Sequence, residues 1–223
     1  MSFLSYLISG ISLGSIYAII ALGYTMVYGI LRLINFAHGD IFMMAGYFMI
    51  ICMTDLMIPW YISIIIVIVA TVLLGVFTER IAYKPLRNAP RMSIMISAIG
   101  VSYLLQNCAL YFTGGLPRSY PVIPFLTKSV KIWGATTKMV TVVTPILTIL
   151  LVIVLVLLIK YTKIGMAMRA VSKDFETSQL MGIKINSVIS FTFVIGCFLA
   201  AVGSMLYFSN YTSVIPTSGA MPG

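Results

Sequence analysis

Apolar residues in this chain run together instead of alternating with charged ones. Six stretches carry no Asp, Glu, Lys or Arg: Met1–Leu31, Ile41–Thr54, Leu56–Thr78, Met92–Pro117, Met139–Ile159 and Ile185–Gly223. A helix needs about 20 apolar residues to cross the ~30 Å hydrocarbon layer, and five of the six stretches reach that length. Ile41–Thr54 has only 14 residues, which predicts a short, re-entrant or broken element. The tail Tyr211–Gly223, with Pro216, Gly219, Pro222 and Gly223, cannot continue a regular helix. The pattern predicts an all-α, polytopic membrane helix bundle of about six membrane segments, the second short or broken, with residues 1–223 as a single transmembrane domain. The first run has no basic leader and is too long for a signal peptide, so a retained helix is expected there.

Composition agrees. Of 223 residues, 61% are hydrophobic and 9% charged, against about 25% charged in soluble domains. An ordinary cytosolic enzyme, a disulfide scaffold and a disordered chain are all excluded. The net charge of +9 sits in short segments between apolar runs, where Lys and Arg set topology and meet anionic membrane lipids; no nucleic-acid partner is expected. Ten basic residues fall in the 31–40 junction and the loops Glu79–Arg91 and Lys160–Lys184, and four lie in the loop holding Arg118, Lys128, Lys131 and Lys138. That bias predicts a cytoplasmic face for the first group and an N-terminus outside, provided the 31–40 junction belongs with it.

Little in the chain suggests chemistry. Cys52, Cys108 and Cys197 all lie in apolar runs and read as small packing residues. His38 is the single histidine, so no two-histidine metal site exists and no cofactor is expected. Neither a phosphate-binding G-x-x-x-x-G-K-[ST] loop nor a G-x-S-x-G elbow occurs. The chain is therefore not expected to be an enzyme, and any ATP-driven work needs another subunit. Gly10 and Gly14, and the series Gly196, Ala200 and Ser204, have the spacing that lets helices approach closely in lipid, within one bundle or across a dimer.

The informative residues are polar ones in the wrong solvent. Tyr28–Tyr47 sets Arg32, Asn35, His38, Gly39 and Asp40 between two apolar segments. Two readings are open: a water-exposed turn, or a break within the membrane whose polar groups face protein or a cavity. Asp40 and Asp55 bracket the short segment and are expected at its ends. Gln106 and Asn107 lie deep in the fourth run, where their amides either bond between helices or line a path. In the loop Gly165–Asn186, Ser172 or Asp174 can cap a short helix near Glu176, and Gly182 can stop it. A helix of about two turns is unstable alone, so it docks on the membrane surface or on a partner.

Four ordered stretches carry a resemblance: Gly14–Tyr47 with the core Asn35–Phe36–Ala37–His38–Gly39, then Glu79–Arg87, Ser97–Asn107 and Gly165–Ile183. Together they resemble the LivH-like branched-chain amino acid ABC transporter permeases across nearly the whole chain. The resemblance implies a permease subunit in the bacterial inner membrane. It also implies a second homologous permease, two cytoplasmic ATP-binding subunits and a periplasmic or lipid-anchored substrate-binding protein. The implied cargo is leucine, isoleucine or valine. Candidate translocation-path residues are Asn35, Phe36, His38, Gly39, Gln106 and Asn107. The implied ATPase-coupling loop includes Arg169, Asp174, Glu176, Ser178, Met181 and Gly182, with Ser178 where the family commonly has Ala. Members of the family run on into further helices and a G-G-x-G segment, so the chain is expected to be C-terminally incomplete relative to them. Alternatives are a same-fold permease for urea, short amides or other amino acids, and an autonomous channel or carrier, for which Asp40 is the only candidate membrane acid.

Overall fold

The computed structural model describes residues 2–32, 35–87, 89–132 and 135–219. Eight α-helices dominate: α1 (Ser2–Leu31), α2 (Ala37–Ile50), α3 (Trp60–Thr78), α4 (Arg91–Thr113), α5 (Met139–Tyr161), α6 (Lys163–Lys173), α7 (Phe175–Leu180) and α8 (Ile185–Asn210). Single π-helical turns extend α2 over Ile51–Asp55 and α3 over Glu79–Tyr83. Six helical segments are long and apolar enough to cross a membrane: Tyr6–Leu31, Ala37–Asp55, Trp60–Tyr83, Met92–Thr113, Met139–Tyr161 and Ile185–Asn210.

The second segment is irregular as expected, 14 α-helical residues followed by the π turn. It begins earlier than the charge-free run implies, at Ala37, so His38, Gly39 and Asp40 lie inside its first turn. Asp55 does sit at the far end, half-exposed and paired with Arg118.

α2 and α8 form the centre. Over an 18-residue apolar stretch of each, 72% and 67% of residues are buried, against 17% for α5, which lies at the periphery. α8 packs on α1, α2 and α3. Phe42, Phe193, Phe208, Ile16, Ile19 and Ile20 are fully buried, with the Phe42 and Phe208 rings 5.6 Å apart. Small residues set the close approaches. A Cβ on Gly46 would lie 2.7 Å from the Phe208 ring, and Gly75 leaves room only for the Cys197 thiol, which is the packing role expected of that cysteine. Gly196, Ala200 and Ser204 lie buried on α8, Gly196 against Val27 and Gly23 of α1. Gly10 and Gly14 have open space beside them among the described residues.

Contacts between loops sort the ends. Arg118 meets Asp55, and the two-residue strands β1 (Arg118–Ser119) and β4 (Ser213–Val214) pair antiparallel. A hairpin of β2 (Ser129–Ile132) and β3 (Ala135–Lys138) precedes α5. At the opposite end Arg32 donates to the Ser172 carbonyl at 2.8 Å and to that of Lys173, and Arg87 donates to Asn186. Arg32 therefore shares the end that carries the basic loops, which the positive-residue count required. As Pro216 and Gly219 implied, α8 stops at Asn210, and the chain turns back through residues 216–219.

Candidate functional site

The site grows from the start of α2. Asn35 is 3% exposed. Its Oδ1 accepts from the Ala37 N–H at 3.2 Å and the Tyr83 hydroxyl at 2.5 Å, and its carbonyl accepts from the His38 N–H. One asparagine thus satisfies free amides of the new helix and ties it to the end of α3. Its Nδ2 is buried with no partner among the described residues.

His38 fits a notch made by two other helices. Its ring meets Tyr24 edge-on at 4.6 Å. A Cβ at Gly23 would lie 2.5 Å from Nε2, and one at Gly196 would lie 3.8 Å from the ring. Nε2 is buried without a partner among the described residues. Gly39 lies backbone to backbone against Gly219, where a side chain has no room. The segment that follows α8 therefore returns into the bundle to meet the start of α2.

Asp40 is 2% exposed. Its oxygens accept from Ser102 Oγ at 2.5 Å and Gln106 Nε2 at 3.0 Å. This corrects the expectation that Asp40 stays at the margin: two donors one turn apart on α4 solvate its carboxyl, so burial is tolerated. Ser102 is the twelfth of 23 residues in α4 and Gly196 the twelfth of 26 in α8, each about 16 Å from the helix start at 1.5 Å per residue. The first turn of α2 is therefore level with the middle of its neighbours. Its N-terminal dipole opens into the bundle interior.

The other path candidates separate. Gln106 joins the cluster by bonding between helices, whereas Asn107 faces outward and donates to the Tyr103 carbonyl of its own helix at 2.7 Å. Phe36 is 39% exposed and stands outside the buried group.

The basic end holds the other candidate loop. α6, not anticipated from the sequence, is capped by Thr162, whose Oγ1 accepts from the Gly165 N–H at 3.0 Å. It buries Met168 and Val171 against Val27, Val188 and Ile189. Exposed Arg169 donates to the Lys160 carbonyl. Asp174, one of the two caps considered, starts α7: Oδ1 accepts from the Glu176 and Thr177 amides at 2.9 and 3.3 Å, and Oδ2 from the Thr177 hydroxyl. Those bonds, the Thr177 hydroxyl first, hold its carboxyl below the usual carboxylate range. Ser172 lies within α6. Ser178 is buried and donates to the Asp174 carbonyl at 2.6 Å. Gly182 has φ +82°. Its N–H donates to the Gln179 carbonyl and that of Ile183 to Ser178, a paired C-terminal lock that needs left-handed backbone. Leu180 and Met181 are 87% and 79% exposed, and Glu176 is exposed beside them.

Sequence reasoning missed Tyr24, Tyr83, Ser102 and Gly219, which are ordinary residues until the helices meet. It also missed a buried charge cluster. Glu79 is fully buried and accepts from Arg87 and from Ser190 Oγ at 3.0 Å, while Arg87 reaches Asn186. A glutamate eight residues before an arginine, at the end of an apolar run, was the available signal.

Residues 6–222 match the family described as branched-chain amino acid transport system / permease component. The chain belongs to that family. Its relatives include the high-affinity branched-chain amino acid transport system permease proteins LivH of Salmonella typhimurium, 38% identical, LivH of Escherichia coli K12, 37%, and BraD of Pseudomonas aeruginosa, 35%. Each alignment covers 99% of this chain and 75–76% of the relative. No solved structure matches. With six spanning helices, this permease-family chain is a multi-pass membrane protein and a transport subunit.

Proposed function

We propose that residues 1–223 form one transmembrane permease domain of an ABC importer, moving leucine, isoleucine or valine through the bacterial inner membrane with the N-terminus outside. In this reading a second homologous permease completes the path. Two cytoplasmic ATP-binding subunits supply energy, because the sequence has no phosphate loop, and a substrate-binding protein delivers cargo. The observation that carries the reading is the mid-bundle start of α2. Lipid cannot satisfy the polar groups of Asn35, His38 and Asp40, and such breaks are tolerated where they face protein or an aqueous cavity. Asn35, His38, Gly39 and Gln106 are assigned to the wall of the path, with Asp40 added. Phe36 and Asn107 are assigned to its margin, or to contact with the second permease.

The coupling element in this reading is α7. It is too short to persist unsupported, yet it is capped at both ends and presents Leu180 and Met181 to water. Arg32 supports a mechanical connection, since it joins the last carbonyls of α6 to the junction that leads into Asn35. The test reconstitutes the chain with its partner subunits and measures leucine uptake and leucine-stimulated ATP hydrolysis. Asp174→Lys reverses the charge at the positive helix end, and Gly182→Val puts a β-branched side chain at positive φ. Both should lower ATPase co-purification and stimulated hydrolysis while the bundle stays folded. Normal coupling in both variants would move the docking site elsewhere, and Asn35→Leu with unchanged uptake would remove the path assignment.

A further inference from the structure

A second site lies in the groove between α2 and α4, on the side away from the basic loops. A cavity of about 200 Å³ is bounded by Met44, Tyr47, Ile50, Ala109 and Phe112, with Asp55 and Arg118 also on its wall. That space takes several waters or one small organic side chain. Its lining divides by chemistry. The interior is aliphatic and aromatic; the two charged side chains are 49% and 41% exposed, which puts them at the mouth. Tyr47 is 5% exposed, its hydroxyl enclosed beside that of Thr113, which donates to the Ala109 carbonyl.

The geometry points to a binding site for an aliphatic α-amino acid in its zwitterionic form. The side chain enters among Ile50, Ala109 and Phe112, the ammonium meets Asp55, and the carboxylate meets Arg118. Two features support this ligand class. First, one anion and one cation stand side by side, N to O 3.4 Å, which matches the two charges carried on one α-carbon. Second, the pair is exposed and long, so it holds itself together weakly, and a zwitterion can replace it without leaving either charge alone. The floor of the site lies one helical turn from the polar cluster: Met44 follows Asp40 by four residues on α2, and Ala109 follows Gln106 by three on α4. A ligand held here waits at the outer approach to the proposed path. The inference deepens the branched-chain cargo reading and rests on it for the choice of aliphatic side chains.

Ligand-observed NMR on the full chain in lipid nanodiscs tests it, with four probes: leucine, leucinamide without the carboxylate, 4-methylpentanoate without the ammonium, and glycine without the side chain. For wild type, leucine should bind at least roughly tenfold more tightly than each of the other three. Asp55→Asn should erase the preference for leucine over 4-methylpentanoate, and Arg118→Gln the preference over leucinamide. Both changes are at exposed positions, and the wild-type probe series stands without them. Equal binding of all four probes by wild type, no binding of leucine at millimolar concentration, or an unchanged preference in both variants would overturn the site. Leucine uptake by the assembled importer is measured in parallel. Uptake with a failed probe series overturns the site and leaves the cargo reading standing; the expected probe series without uptake does the reverse.

Discussion

The start of α2 and the short helix α7 both depend on a polar cap, but they draw their hydrogen bonds from different distances. At α2 the partners come from afar: Asn35 uses Tyr83, Asp40 uses Ser102 and Gln106, and His38 uses the notch at Gly23 and Gly196. At α7 each bond is local, with Asp174 serving Glu176 and Thr177, and Gly182 closing the last turn. The first region exists only when the bundle is assembled. The second draws its hydrogen bonds from its own residues, which suits the coupling role proposed for it.

The largest effect should follow from Gly39→Val. The new side chain meets the Gly219 backbone, which no rotamer change can relieve. We expect a cost of about 3 kcal/mol or more, read as loss of monodisperse protein in detergent; normal folding would mean that the returning segment is not seated there. Asp40→Leu comes next. It removes the shared acceptor of half-buried Ser102 and Gln106, at roughly 1–2 kcal/mol per lost bond, while Gln106 keeps its 3.3 Å bond to Ser102 Oγ. The triple change Asp40→Leu, Ser102→Ala, Gln106→Leu should recover much of that loss in a thermal melt, whereas simple additivity would dissolve the cluster as a unit.

Gly182→Ala should cost about 1–2 kcal/mol in the loop alone, seen as faster amide exchange in α7 with the spans unchanged. Acidification should act most gently. The depressed Asp174 pKa means that its carboxylate stabilises the folded loop fully above the ordinary carboxylate range. That contribution is lost as pH falls through the lower, folded value. Exchange protection of the Glu176 and Thr177 amides should decline on acidification, and Asp174→Asn, which caps without titrating, should flatten the profile. A decline in the Asn variant as steep as in wild type would show that another group controls it.

The sequence disclosed what depends on composition and near neighbours. Six apolar runs became six spans, Asp174 and Gly182 bracket α7, and the Pro- and Gly-rich tail leaves the helix at Asn210. Boundaries drawn from charge failed at Asp40, because its donors are 62 and 66 residues away in the chain. The same limit hid the Glu79–Arg87 cluster and separated Gln106 from Asn107: adjacent residues on a helix point about 100° apart, and only packing reveals which one faces inward. The pairing of β1 with β4 rests on two residues from each strand, too few for any periodicity to mark.

The His38 notch has a consequence for biogenesis. Its walls come from Gly23 and Gly196, the second made 173 residues after the first. Until α8 emerges from the ribosome, the histidine has half a socket, and α2, with His38 and Asp40 in its first turn, has little reason to remain in lipid. Nascent chains halted before residue 196 should therefore expose Cys52 to aqueous thiol reagents that cannot reach it once α8 is in place; protection in the short chains would show that α2 settles unaided. Two residues with no side chain, far apart in the chain, thus complete one socket only when the last described helix is in place.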